Sequence, residues 1–315
     1  MLKFTIRRLL TALPVLFIVV TLVFFMARII PGDPAIQILG PEADPADIEA
    51  LRETMGLNDP MGVQYVNFLK GLVKGDWGNS LYNGKPVLEN IFSRMEPTLL
   101  LAAYSSIIAV VVGIPFGIIA AKKHNTIIDY GLTTLSALGL SAPGFWLGMM
   151  MVFYLAVELK LFPVQGYTFI AEGGLGGALY SLTLPAVASA VSTICSYTRY
   201  TRSMMLEVMN DDYVRTARAK GLRESIVYYK HALKNAVAPV VTNIGFNIAG
   251  CIGGSTVIET VFNIPGMGKL TYDSLMRRDY NQQTAAIIFM GLILVFTNIL
   301  MDIVYKWLDP RIEFD

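Results

Sequence analysis

The chain has 315 residues, of which 54% are hydrophobic and only 16% charged, and its formal net charge is +1. An ordinary soluble domain carries nearer a quarter charged residues and could not bury this much apolar surface in one core, so a wholly aqueous protein is excluded. The balanced charge offers no global basic field for nucleic acid, and Cys195 and Cys251, the two cysteines, make neither a disulfide framework nor a zinc pattern.

Six stretches free of Asp, Glu, Lys and Arg are long enough to cross a hydrocarbon core of roughly 30 Å. They are Leu9–Ala27, Pro97–Ala121, Tyr130–Val157, Gly173–Thr198, Asn235–Ile258 and Tyr280–Met301. The first follows Lys3, Arg7 and Arg8 but is too long, and lacks the small-residue exit, for a cleaved signal peptide, so it reads as an uncleaved first helix. The fourth opens in a glycine-rich loop, and its helix proper is expected from near Tyr180. An even number of spans puts both termini on one side. Segments 1–8, 122–130, 199–235 and 306–315 hold 15 Lys and Arg in 64 positions, against 9 in 113 for 31–96, 158–179 and 259–283. The termini are therefore expected in the cytoplasm.

Segment 31–96 is acidic, with 5 basic and 10 acidic residues, and carries its own helix punctuation. Asp44 and Pro45 read as cap and first turn of a helix bearing Ile48, Leu51 and Met55 and ending before Gly56. Asp59 and Pro60 open a second helix towards Lys74 and Gly75, and a third is expected to carry Val87, Leu88, Ile91, Phe92 and Met95. These helices would cover the outer mouth, either as a passive cap or as a docking surface for a substrate-delivery protein. Within the spans, the pairs Gly113/Gly117, Gly144/Gly148 and Gly250/Gly254 allow close backbone approach, and Pro115, Pro143 and Pro185 are expected to kink their helices.

Several chemistries are missing. No span holds a carboxylate of the kind a proton-driven transporter keeps in the membrane interior. The run Pro265-Gly266-Met267-Gly268-Lys269-Leu270 fails as a phosphate loop, because Leu270 replaces the hydroxyl residue and Asn263 the first glycine. His124 and His231 have no neighbours at metal-ligand spacing, and no nucleophile, base and acid can be assembled in one membrane layer. Energy supplied from outside the chain is the more economical reading; a self-sufficient secondary transporter or channel is the rival.

The connection Arg199–Asn235 has the grammar helix, glycine, helix. Arg218 and Lys220 suit the last turn of the first helix, Gly221 suits a left-handed residue just beyond it, and Glu224 suits the first turn of the next, which is expected to bury Ile226, Val227 and Leu233. By itself this fits either a basic loop obeying the orientation rule or a rigid knob for a cytoplasmic partner. Polar residues on the fifth span, Asn243, Asn247, Ser255 and Thr256, suggest the lining of a translocation path.

Ordered fragments along nearly the whole chain carry a more specific signal. They are Arg7-Arg8-Leu9, Pro31-Gly32-Asp33-Pro34, Gly56-Leu57-Asn58-Asp59-Pro60, Gly75-Asp76-Trp77-Gly78, the run Asp212 to Gly221, His231 to Ala236, Gly253-Gly254-Ser255 with Glu259 and Phe262, Pro265-Gly266-Met267-Gly268, and Arg278-Asp279-Tyr280. Together they resemble the membrane-spanning permease subunits of bacterial ABC importers, in the peptide/nickel branch. The family's cytoplasmic motif places its glycine on Gly221 and its second alanine on Ala217; Arg215 and Thr216 stand where the general motif has Glu and Ala, and Lys234 where it has proline.

The resemblance implies an all-α polytopic bundle of six transmembrane helices with the type I importer fold. Its parts would be residues 1–30 (tail and first helix), 31–96 (extracytoplasmic segment), 97–308 (five-helix core with the coupling hairpin 204–235) and 309–315 (tail). It implies that Tyr213, Arg215, Thr216, Ala217, Arg218, Ala219, Lys220, Gly221 and Leu222 couple to ATPase subunits. The implied partners are a second, similar permease subunit in a heterodimer, two ABC ATPases, an extracytoplasmic binding protein and membrane lipid, with no nucleic acid. No cofactor is expected in this chain, since ATP and Mg would bind the ATPases. It would be a transport subunit of the bacterial plasma membrane and not an enzyme, serving peptides, glutathione, nickel chelates or similar small solutes.

Overall fold

The computed structural model describes residues 2–29, 32–233, 235–236, 239–241, 243–244, 250 and 256–308. Their regular structure is helical throughout, apart from an isolated bridge between Asn79 and Pro86. Four helices are long and apolar enough to cross a membrane, at Leu10–Ile29, Val87–Lys122, Ile170–Val208 and Tyr280–Met301, and a bent pair supplies a fifth candidate. The expected fifth charge-free span, Asn235–Ile258, lies largely outside the described residues. The chain divides into two compact units.

The first unit comprises residues 1–98 and 265–295. It holds α1 (Leu2–Ile29), α2 (Pro34–Leu39), α3 (Pro45–Thr54), α4 (Met61–Lys74), the start of α5 (Val87–Lys122), α12 (Met267–Met276) and the start of α13 (Tyr280–Leu308). Two of the expected caps form, since the Asp44 carboxylate accepts from the Ala46 amide at 2.9 Å with Pro45 opening α3, and α4 ends on Gly75 at φ 79°. At the start of α4, however, Pro60 is the N-cap residue and no side chain, Asp59 included, caps the helix. Phe24 of α1, fully buried, stacks near Tyr65 and Phe68 of α4 at 5.2 Å, and the Thr21 hydroxyl lies 2.7 Å from that of Tyr65. Val87 and Ile91 bury against Met267, Ala285 and Ala286, so the acidic segment after α1 packs with residues far along the chain. Asp279, 3% exposed, caps α13 and accepts from the Ser80 hydroxyl and the Leu81 amide. The separate outer helix expected at Val87–Met95 is instead the first part of α5, which runs on through Pro97. One proline removes one backbone bond, and the apolar residues after it sustain the helix.

The second unit comprises residues 99–264 and 296–315. Its central element is α8 (Ile170–Val208), which buries Leu182, Leu184, Ala186, Ala188 and Ala190. Around it lie the rest of α5, α6 (Ile127–Ser141), α7 (Gly144–Met151) and α11 (Thr256–Val261). Gly113 and Gly117 permit close approach of α5 to α8: a Cβ on Gly117 would sit 2.6 Å from Thr201 Cβ and 2.7 Å from the Thr198 carbonyl. The Thr198 hydroxyl adds an interhelical bond to the Gly113 carbonyl at 3.2 Å.

Two spans differ from the sequence reading. Tyr130–Val157 is not one straight helix but α6 and α7 with a π-helical continuation, Val152–Glu158, bent by 99° at the break. Ala142 is forced extended (ψ 127°) by the Pro143 ring that follows it, so the kink becomes a corner. In the fourth span only Gly174 leaves helical geometry (φ 65°, ψ 179°); Gly176 and Gly177 are helical, and the helix continues past Thr198 to Val208. Apolar side chains such as Phe17, Leu22, Ile107, Leu135 and Phe153 remain exposed on these helices, as lipid-facing residues do.

Candidate coupling hairpin

At the end of α8, Met205 and Met209 face inward with Ala121 of α5. The chain then turns at Asn210 and Asp211 and forms α9 (Asp212–Ala219), α10 (Glu224–Ile226) and a π-helical stretch, Val227–Ala232. Val214 and Ala217, three apart, bury one stripe of α9 against these methionines together with Val227, Ala232 and Ala236. The other side of α9 is exposed, and on it lie Tyr213, Arg215, Thr216, Arg218, Ala219 and Lys220. The knob is therefore anchored through apolar contacts and presents a mainly basic surface.

The turn is a Schellman motif. The Gly221 amide donates to the Arg218 carbonyl at 2.9 Å and the Leu222 amide to that of Ala217 at 3.4 Å. Gly221 takes φ +71°, the left-handed conformation its place in the sequence called for. Beyond it, Arg218 Nε donates to Glu224 Oε1 at 3.0 Å, clamping the two arms.

Of the nine residues expected to couple, eight are exposed; Ala217, 5% exposed, faces the core and acts on the knob's seating. Among the residues expected to be buried beyond the turn, Val227 is fully so and Leu233 partly, but Ile226 is 38% exposed, because only Val227 points back at Met205 and Val214. Of the polar residues assigned to a path, Asn243 and Thr256 are half-buried, whereas Asn247 and Ser255 lie outside the described residues.

Sequence reasoning missed a polar cluster close to the hairpin's stem. Asp129 in the first turn of α6 is gripped by Arg202 of α8, with His124 Nδ1 at 3.0 Å. Asp129 stands immediately before one charge-free run and Arg202 lies just beyond Arg199, which ends another; their pairing across 73 positions had no local signal. No group of three or more potential metal ligands occurs among the described residues.

Residues 113–314 match the family described as binding-protein-dependent transport system inner membrane component, and residues 1–102 match its N-terminal region. The chain belongs to this family. It is 43% identical over 316 residues to the oligopeptide transport system permease protein AppB of Bacillus subtilis (strain 168), with all of both chains covered. It is 41% identical over 314 residues to the glutathione transport system permease protein GsiC of Escherichia coli (strain K12), again over the whole of both. Its fold is similar to that of a chain of the MetNI methionine ABC transporter in an inward-facing conformation, with TM-score 0.59 and 15% identity over 71% of this chain and 98% of that one. The chain is thus a multi-pass inner membrane component, an ABC importer permease subunit and not itself a catalyst, which sets aside the self-sufficient transporter.

Proposed function

We propose that this permease subunit forms half of a translocation path for peptides or for peptide-like solutes such as glutathione, and that the Asp212–Ile226 hairpin receives the work of ATP hydrolysis. The observation that carries the reading is the hairpin itself: a helix seated by Val214 and Ala217, stopped by a left-handed Gly221, and turned so that Arg215, Arg218 and Lys220 face outward. A basic loop that served orientation alone would need neither the buried stripe nor the locked turn. Full-length similarity to an oligopeptide permease and a glutathione permease supports the substrate class.

In this reading six helices cross the membrane and both termini and the hairpin are cytoplasmic, in line with the distribution of Lys and Arg. The partners are a second, similar permease, two ABC ATPases that hold ATP and Mg, and an extracytoplasmic binding protein over the 31–96 segment. Asn243, Asn247, Ser255 and Thr256 line the path. The test is a cysteine at Arg215, exposed on α9, in the assembled transporter. It should cross-link to an ATPase subunit, and the complex in liposomes should take up peptide only with ATP inside and loaded binding protein outside. Uptake by this chain alone under an ion gradient would sink the proposal.

A further inference from the structure

Asp129 is 1% exposed, yet every donor around it is arranged for a carboxylate. Arg202 approaches with two nitrogens, Nε at 2.5 Å from Oδ1 and Nη2 at 2.8 Å from Oδ2. The Asn125 amide donates to Oδ2 at 3.0 Å, its residue held at φ 61° in the turn between α5 and α6, and His124 Nδ1 lies 3.0 Å from the same oxygen. Arg202 belongs to α8, and Met205 and Met209 follow it at spacings of three and seven on the same helical face. Those two methionines are the seat of Val214 and Ala217. One stripe of α8 therefore carries the hairpin at its end and grips α6 one turn before.

We propose that Asp129 and Arg202 are a positioning pair that makes α6 follow α8 when the hairpin is moved, a role that rests on the hairpin reading above. A buried ion pair is a poor device for stability alone, because apolar residues of similar volume usually serve as well. Its geometry has another property: two parallel charge-assisted bonds resist both sliding and rotation, whereas apolar contacts such as that of Gly139 beside Val191 and Cys195 permit small shear. Motion taken up by α6 continues through the Ala142–Pro143 corner into α7, whose Gly148 lies against the Phe262 ring. The pair thus passes hairpin displacement into the part of the bundle that bends by 99°.

The experiment uses the complete transporter in liposomes and reads solute moved per ATP hydrolysed. Asp129→Asn keeps the volume and removes the charge; transport per ATP should fall by about tenfold with ATPase subunits still bound, and Asp129→Asn combined with Arg202→Gln should be no worse than the poorer single variant. Unchanged transport per ATP, or losses that add, overturns the proposal. Gly221→Val run in parallel separates the two readings: if it uncouples and Asp129→Asn does not, the hairpin stands and the joint is wrong, and if both are silent both are wrong. Should Asp129→Asn fail to assemble, spin labels decide. Placed at Leu135→Cys and Glu207→Cys, with Cys195 and Cys251 changed to Ala, they should keep one α6–α8 distance through the ATP cycle; a distance that changes overturns the joint.

Discussion

Arg218 and Glu224 form an ion pair across Gly221, Nε to Oε1 at 3.0 Å, so the two arms of the hairpin are tied on both sides of its left-handed residue. Both side chains are substantially exposed, and an exposed pair is worth about 0–1 kcal/mol. The turn's direction is therefore set mainly by its backbone, which makes Gly221 the sensitive position.

Gly221→Val should leave the subunit inserted and abundant while substrate-stimulated ATPase and uptake collapse. No atom lies within 4 Å of a Cβ built there, so the cost is purely conformational, about 1–2 kcal/mol for a left-handed residue and most for a β-branched one. Gly221→Asn should lose less, since Asn tolerates this conformation, and Lys220→Gln least of all. Normal transport by the Val variant would falsify the coupling role of the turn.

Ala217→Leu tests the seating rather than the surface. Ala217 contacts the cluster of Met205, Met209 and Val227, and overpacking such a site costs about 1–3 kcal/mol. Limited proteolysis of the purified protein should show the hairpin cut faster, with the rest of the chain protected. Thr216→Leu, on the exposed side, should not change the cleavage rate.

Gly117→Val and Gly131→Val separate two glycines that look alike in the sequence. A Cβ at Gly117 meets Thr201 and the Thr198 carbonyl, whereas at Gly131 nothing lies within 4 Å. The first change should lower the thermal midpoint in detergent by several degrees, consistent with about 1–3 kcal/mol of forced separation, and the second should leave it nearly unchanged. Equal midpoints would mean that α5 and α8 do not pack as described.

Asp33 supplies a pH dependence. Burial pushes its carboxyl up, but the hydrogen-bonded Arg52 guanidinium and the Ala35 and Ile36 amides outweigh that and hold it below the usual carboxylate range. A depressed folded-state value adds stability above the unfolded value of about 3.9, and that stability is lost as pH falls through the folded one. Protection of the α2 and α3 amides, taken relative to their intrinsic exchange rate at each pH, should weaken below about pH 4 in the wild type. Asp33→Asn should exchange faster at neutral pH and lack the acid-dependent part.

Cysteines at Asp47 and Ser225, both exposed, report on orientation. An impermeant thiol reagent applied to intact cells should modify Asp47→Cys and spare Ser225→Cys. The reverse pattern would invert the topology inferred from Lys and Arg.

Features with a local cause were legible in the chain itself. A run without charge reads as membrane-spanning whatever its neighbours, Asp44-Pro45 caps its own helix, and Gly221 takes positive φ at no steric cost because it has no Cβ. Packing decided the rest. Pro143 signalled a kink, but a corner of 99° needs α8 and Phe262 to receive the second half of the helix. Val227 and Ile226 are adjacent and equally apolar, and only the position of the methionines on α8 buries one and exposes the other. Ser80 meets Asp279 across 199 residues, and Asp129 meets Arg202 across 73. Charged and polar partners of this kind carry no periodicity, so they are found only when the fold brings them within hydrogen-bond reach.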